Sequence, residues 1–260
     1  MTMDIQLKGK DQLSETSVFS GILKTSDLTE KRKSVKFSYS QTRKVELSEK
    51  TLTDNRIVSS IKNEETVAAY KILRTRLLQK LKANKWNTFG ITSARSGQGV
   101  TLSAINTAIT LAQEHTHTVL LVDFNFKKPA ICNTLGFQPQ FGIEDYLFED
   151  LPLDKILINP DIEKLVILPC KEPIIDASEM MSSPRVVEMV DELKSRYPNR
   201  IVIFDLPSVL EGDEVISFSS YIDALLLVIQ ENHTTKEDIG LMAELLKGVS
   251  ILGSVLNKGA

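Results

Sequence analysis

From residue 88 onward the chain alternates between two hydrophobic patterns. Short and nearly continuous apolar runs are typical of strands that are buried on both faces of a sheet. These runs are residues 88–94, 117–124, 164–170, 200–207, 223–230 and 249–257. Apolar residues at helical spacing predict helices between them. These helical segments are residues 99–115, 141–149, 183–197, 214–221 and 235–248. The alternation predicts an α/β fold with a doubly wound, mainly parallel sheet and helices on both faces.

A further helix is predicted directly before the first of these strands. Residues 63–84 place Val67, Tyr70, Leu77 and Leu81 at helical spacing. Asn63 suits the N-cap position, because its side chain can accept hydrogen bonds from the first backbone amides of a helix. We therefore expect a domain over residues 61–260 that begins with this leading helix.

Residues 1–60 show a different pattern. They are rich in Ser, Thr and Lys and have no long hydrophobic period. A segment of this kind buries too little apolar surface to offset its ordering entropy, which predicts a mostly disordered region with short helical or extended pieces. Its basic run of Lys31, Arg32, Lys33 and Lys36 is interpreted either as a solvated tail or as a contact for anionic lipid or an acidic partner.

Composition narrows the class of protein. The chain has 260 residues and a net charge of −3, with an isoelectric point near 5.8, so no global basic field indicates nucleic-acid binding. No apolar run reaches the ~18 residues of a membrane span. The first residues lack the apolar core of a secretory signal. These features predict a cytoplasmic protein that does not bind nucleic acid.

The turn after the first strand predicts a phosphate site. Residues 93–101 form a glycine-rich segment between a strand and a helix, where converging backbone N–H groups and the helix dipole favour an anion. The phosphate-loop pattern ends in Gly-Lys-Ser/Thr, whereas this loop ends in Gly99-Val100-Thr101. A purely structural glycine turn remains the alternative. The predicted nucleotide contacts are Arg95, Ser96, Gly97, Gln98, Gly99, Val100, Thr101 and Leu102.

Two carboxylates follow strands of the same predicted sheet. Asp123 and Asp205 each end a buried apolar run. We expect both strands to lie beside the first strand of the sheet. Because ligands in such sheets bind at the carboxyl ends of the strands, we expect both side chains near the loop. Together with the Thr101 hydroxyl they predict a Mg²⁺ site. Ordinary strand-end carboxylates or helix caps are the alternative.

Several ordered motifs give the chain a specific resemblance from about residue 63 to residue 258. They are AAYKILRTRL, VLLVDFNFKKP, LPCKEPIIDASEMMSSPRVVEMVDELKSRY, IVIFDLPSVLEGDE and GSVLNK. In this order they resemble the motifs of the bacterial tyrosine kinases (BY-kinases) of capsule and exopolysaccharide synthesis. That family belongs to the MinD/ParA-like branch of P-loop proteins. The first 60 residues lie outside the resemblance.

The resemblance implies a set of ligands and partners. It implies ATP or ADP with Mg²⁺ as cofactors and Asp123 as the catalytic carboxylate. It also implies self-association or docking through residues 63–84. The implied partner is a membrane chain-length determinant of the polysaccharide co-polymerase type, which would place the protein at the inner face of the plasma membrane.

The sequence departs from the family pattern at positions that bear on activity. Val100 replaces the loop lysine, Asn125 the second acidic residue of the Asp-x-Asp motif, and Lys127-Lys128 the arginine pair. The self-association motif has Ala68 in its acidic position. The family's tyrosine-rich tail has no counterpart, since Tyr221 is the last tyrosine.

These departures leave several functions open. The first is a nucleotide-binding relative with weak or lost kinase activity that regulates polymer export or chain length. The second is an active tyrosine kinase in which Arg95 or a partner residue replaces the loop lysine, with Tyr39 or another protein as the target. A MinD/ParA-like positioning ATPase and a scaffold without nucleotide are the remaining alternatives.

Overall fold

The computed structural model describes residues 42–61, 63–197 and 199–257. Its strands are β1 (Arg43–Lys44), β2 (Thr88–Ser93), β3 (Thr118–Asp123), β4 (Ile158–Asn159), β5 (Leu165–Leu168), β6 (Arg200–Asp205), β7 (Ala224–Gln230) and β8 (Ile251–Asn257). Its helices are α1 (Glu49–Asp54), α2 (Glu64–Asn84), α3 (Val100–Ala112), α4 (Ile131–Leu135), α5 (Ile143–Glu149), α6 (Leu153–Ile156), α7 (Ala177–Met181), α8 (Pro184–Ser195), α9 (Glu214–Phe218) and α10 (Lys236–Leu245). Single 3-10 turns span Val209–Glu211 and Ser219–Tyr221.

The strands form one sheet in the order β1-β4-β5-β3-β6-β2-β7-β8. Every pair is parallel except β4 and β5. The predicted fold class, an α/β fold with a mainly parallel sheet, is therefore confirmed. One prediction of strand order was wrong. The strand of Asp205, β6, pairs with β2 as expected, but β6 separates β2 from β3, the strand of Asp123. Hydrophobic patterns identify the strands, but they do not specify the order in which the strands lie in the sheet.

The interior of the sheet is covered on both faces. All residues of β2, β3, β5 and β6 are buried, which explains why these strands have continuous apolar runs. One face packs an aromatic cluster in which Phe124, Phe204 and Phe218 contact one another. The opposite face packs against α3, whose residues 103–112 are all buried. The packing on both faces supports the carboxyl ends of the central strands, where the loop after β2 begins.

Helix α2 begins as the sequence predicts. The Asn63 side chain accepts hydrogen bonds from the amides of Glu65 and Thr66, which is the N-cap geometry. Only Leu77 and Leu81 of this helix are buried, so most of its surface remains available. None of the described helices, α2 included, combines the length and apolar composition that crossing a bilayer requires.

The segment of residues 42–60 lies in the region that is predicted to be mostly disordered with short helical or extended pieces. It forms β1 and α1, and its Ile57 and Val58 side chains are buried against the core. The reason is a long-range contact with a buried asparagine of α3. Val58 N donates to Asn106 Oδ1 at 2.8 Å, and Asn106 Nδ2 donates to the Arg56 carbonyl at 3.2 Å. Local periodicity could not reveal this contact. The rest of the predicted disordered region, including its basic run, lies outside the described residues.

Candidate nucleotide site

Two glycines shape the loop between β2 and α3. Gly97 and Gly99 have φ angles of +80° and +85°, which other residues rarely adopt. A Cβ atom on Gly99 would also collide with the side-chain amide of Asn257. Asn257 Nδ2 donates to the Gln98 carbonyl at 3.0 Å and so ties the loop to the end of β8. Helix α3 begins at Val100 without a side-chain cap, so its first amides can donate to an anion.

A cleft of about 500 Å³ opens over this loop. Its volume lies in the range of small-ligand sites. Six of the eight predicted nucleotide contacts line it, namely Ser96, Gly97, Gly99, Val100, Thr101 and Leu102. Asn55, at the end of α1, lines it as well. A residue from the region before position 60 thus contributes to the wall, and no local pattern around Asn55 indicated this.

Arg95 and Gln98, the other two predicted contacts, do not line the cleft. Arg95 Nε donates to Asp238 Oδ1 at 2.8 Å, and Asp238 lies in the first turn of α10. Gln98 is buried, and its Oε1 accepts a hydrogen bond from Arg95 N at 3.3 Å. The structure therefore gives both residues a role in shaping the loop.

The three predicted magnesium ligands lie at the end of the loop where α3 begins. We call this the inner end of the loop. Thr101 Oγ1 donates to Asp205 Oδ2 at 2.7 Å. Asp123 stands opposite Asp205 in the register of β3 and β6. Asp123 Oδ2 accepts from the amides of Ala130 and Ile131 at 3.0 and 2.9 Å. The second oxygen of each carboxylate, Oδ1, is buried and has no hydrogen-bond partner among the described residues.

Burial is the largest influence on the pKa values of this carboxylate pair. It raises the pKa of Asp123 to about 7, against the opposing effect of the amides that bond its Oδ2. Burial also raises the pKa of Asp205 well above its usual value, and the charge of Asp123 raises it further. Two adjacent buried carboxylates with unpartnered oxygens, beside a hydroxyl, are hard donors that suit Mg²⁺. No group of three or more His, Cys, Asp or Glu side chains in the described part of the chain is placed to hold a metal ion, so a cation here would need ligands besides these side chains.

Charged residues that follow β3 and β6 form the opposite wall. Lys127 and Lys128 line the cleft with Glu211 and Glu214. Lys127 pairs with the buried Glu214 carboxylate, and Glu211 Oε1 accepts a hydrogen bond from Ser96 N at 2.8 Å. Sequence reasoning did not select either glutamate. Their position directly after the strand of Asp205 was the available signal.

The predicted catalytic residue lies behind this wall. Asp123 is 1% exposed and is not among the residues that line the cleft. A general base must come within hydrogen-bond reach of the proton it accepts. Asp205 is not among the lining residues either, and the catalytic role of Asp123 stays a prediction.

The parallel sheet, the glycine loop and the Thr101–Asp205 pair define the class of P-loop NTPase folds. Solved structures of that class superpose on the chain. The MinD protein of Pyrococcus horikoshii, solved with Mg-ADP, matches with a TM-score of 0.53 and 23% identity over 66% of this chain and 70% of that chain. This match concerns the fold.

Sequence comparison shows which proteins the chain is similar to. No model of a known protein family matches the chain. The tyrosine-protein kinase YwqD of Bacillus subtilis is 25% identical over 190 residues, which cover 72% of this chain and 79% of that protein. The tyrosine-protein kinase CpsD of Streptococcus agalactiae is 23% identical over 210 residues, 80% of this chain and 88% of that protein. The succinoglycan biosynthesis transport protein ExoP of Rhizobium meliloti is 24% identical, but the match spans only 23% of its length.

A solved kinase domain agrees with these relatives. The kinase domain of VpsO superposes with a TM-score of 0.67 and 28% identity, covering 75% of this chain and 96% of that domain. The resemblance seen in the sequence is confirmed, and the chain is a relative of the bacterial tyrosine kinases.

Proposed function

We propose that the chain binds a magnesium nucleotide with weak or lost kinase activity and regulates polymer export in exopolysaccharide or capsule synthesis. The observation that supports nucleotide binding is the inner end of the loop. There Thr101 bonds Asp205 beneath the first turn of α3, and two buried carboxylate oxygens lack partners. The observation that supports weak chemistry is Val100, which lines the cleft at the lysine position.

The residues of the chain divide the binding of a nucleotide between them. The loop amides and the first turn of α3 would hold phosphate oxygens, because both present N–H groups to the cleft. Thr101, Asp205 and Asp123 would hold Mg²⁺, which neutralises phosphate charge when it is bound. None of these contacts depends on the side chain of residue 100. Binding can therefore persist without the lysine.

Phosphoryl transfer has different requirements. The loop lysine normally reaches the β- and γ-phosphates, and Val100 cannot supply that charge. Losing one preorganised charge contact costs ~3 kcal/mol of transition-state stabilisation, or roughly a hundredfold in rate. In addition, Asp123 is buried, so no exposed carboxylate of the β3 end meets an incoming tyrosine hydroxyl. Both features point to a protein that binds nucleotide without efficient transfer.

The setting of this function comes from the relatives. CpsD is a tyrosine-protein kinase and ExoP a succinoglycan biosynthesis transport protein. By analogy, the chain would work at the inner face of the plasma membrane with a chain-length determinant of the polysaccharide co-polymerase type. Helix α2 is mostly exposed, with only Leu77 and Leu81 buried. It therefore offers a surface for this partner or for a second copy of the chain.

Two measurements on the wild type and Val100→Lys test the proposal. They are calorimetric titration with Mg-ADP and Mg-ATP and an assay of tyrosine phosphorylation. We expect micromolar binding by the wild type, and tyrosine phosphorylation that is absent or at least a hundredfold weaker than in Val100→Lys. Asp205→Ala serves as the site control and should abolish the magnesium dependence of binding. Failure of the wild type to bind either nucleotide would refute the proposal, as would efficient tyrosine phosphorylation by the wild type.

A further inference from the structure

A carboxylate already holds one amide of the phosphate loop. The 3-10 turn Val209–Glu211 follows β6 and lies against the loop. Leu210 N donates to the Ala94 carbonyl at 3.1 Å. Glu211 Oε1 then accepts a hydrogen bond from Ser96 N at 2.8 Å. These two hydrogen bonds, one on each side of Arg95, hold the Glu211 carboxylate against the start of the loop. We call residues 95 and 96 the outer end of the loop.

Glu211 stays ionised in this position. The hydrogen bond from Ser96 lowers the pKa of Glu211 most, and the charges of Lys128 and Arg95 lower it further, while its burial opposes them. Its side chain is exposed and lines the cleft. It is consequently a negative charge that a bound nucleotide would meet, held at an amide that could otherwise donate to phosphate.

The effect of this charge depends on the length of the phosphate chain. In a phosphate loop the lysine reaches the β- and γ-phosphates. Here Val100 removes that positive charge, and Glu211 adds a negative one. Of the two lysines that line the cleft, Lys127 is paired with Glu214, and Lys128 lies near enough to Glu211 for its charge to lower the pKa of that carboxyl. Relative to a loop that keeps its lysine, a nucleoside triphosphate would therefore lose one attractive neighbour and gain a repulsive one. A diphosphate carries less charge to the outer end and still reaches the amides of α3 and the Thr101–Asp205 pair.

We infer that Glu211 is a specificity-determining residue that makes the cleft select nucleoside diphosphates over triphosphates. The inference rests on the proposed function, because it presupposes that the cleft binds a nucleotide. It goes further in naming the ligand class and the residue that selects it. The protein would rest in a diphosphate-bound form, and a triphosphate would have to displace Glu211 from Ser96.

The test compares Mg-ADP and Mg-ATP titrations of the wild type, Glu211→Gln and the control Glu149→Gln. Gln keeps an acceptor for Ser96 N and removes only the charge. Glu149 is exposed on α5 and does not line the cleft, so its substitution should change neither affinity. We expect the wild type to bind ADP at least tenfold more tightly than ATP. In Glu211→Gln the ratio should fall roughly tenfold through tighter ATP binding, which corresponds to about 1.4 kcal/mol.

The outcomes separate this inference from the proposal on which it rests. Binding of both nucleotides with an equal affinity ratio in wild type and Glu211→Gln would overturn the role of Glu211 and leave nucleotide binding intact. Tighter binding of ATP than of ADP by the wild type would do the same. Absence of binding of either nucleotide by all three proteins would overturn the proposed function, and the inference with it.

Discussion

The two ends of the phosphate loop differ in how their polar groups are satisfied. At the inner end, Asp123 and Asp205 are buried, and each keeps an oxygen without a hydrogen-bond partner among the described residues. At the outer end, Arg95 and Glu211 are exposed and are bonded within the chain, to Asp238 and to Ser96. The inner end thus has unpartnered buried carboxylate oxygens, whereas the outer end is bonded within the chain. In our proposal, cation binding depends on the inner end and the choice between diphosphate and triphosphate on the outer end, so mutations should separate the two.

The largest expected effect is a loss of stability at the inner end when pH rises without magnesium. The pKa of Asp123 is raised to about 7, so the folded state binds its proton more tightly than the unfolded chain does. The stability from this proton is complete below the unfolded-state pKa near 4. It is lost as pH rises through about 7, and the loss is up to about 4 kcal/mol. Urea unfolding in EDTA between pH 4 and 8 measures it.

Magnesium and a substitution sharpen this prediction. Mg²⁺ should restore stability at pH 8, because it compensates the two adjacent charges. Asp205→Asn should be more stable than the wild type in EDTA at pH 8 and should no longer respond to Mg²⁺. Asp191→Asn, an exposed position on α8, is the matched control and should behave as the wild type. A pH profile that is flat for the wild type would contradict our account of the inner end.

The two loop glycines should differ in their tolerance of a side chain. Gly99→Ala meets both the left-handed φ angle and the Asn257 side chain, which predicts a loss of about 2–3 kcal/mol of stability. Gly97→Ala meets only the φ angle, since nothing lies within 4 Å of its added Cβ, which predicts about 1 kcal/mol. Chemical denaturation of both variants measures the difference. Equal losses would show that Asn257 does not constrain the loop.

Sequence reasoning predicted the parts of the molecule that rest on local pattern. The alternation of apolar runs predicted the sheet, and Asn63 predicted the start of α2, because periodicity and capping are properties of neighbouring residues. The placement of Asp205 near the loop was also predicted, since strand ends in such sheets meet at one edge.

The features that the sequence missed depend on contacts between distant segments. Residues 42–60 fold because Asn106 bonds Arg56 and Val58 across about fifty positions of the chain. The insertion of β6 between β2 and β3 and the contact of Glu211 with Ser96 are of the same kind. Each is decided by how crossovers and turns pack, which a hydrophobic pattern does not specify.

A smaller effect is expected from the hydroxyl that joins the loop to β6. Thr101→Val removes the donor to Asp205 and keeps the shape of the side chain. We expect a loss of about 1–2 kcal/mol together with weaker binding of Mg-ADP. Thr101→Ser keeps the hydroxyl and should retain both properties. Thermal unfolding and calorimetry measure the two effects. If Thr101→Val bound Mg-ADP as tightly as the wild type, Thr101 would not be a metal ligand.

The smallest effect is expected from Arg95 at the outer end. Because its guanidinium bonds Asp238 and does not line the cleft, Arg95→Ala should change the affinity for Mg-ADP and Mg-ATP by less than about twofold, an energy of under ~0.4 kcal/mol. Lys236→Ala, at an exposed position of the same α10 turn, is the control. A tenfold loss of ATP affinity in Arg95→Ala alone would mean that Arg95 leaves Asp238 to reach a phosphate. That result would favour an active kinase in which Arg95 replaces the loop lysine, and the separation between the two ends of the loop would no longer hold.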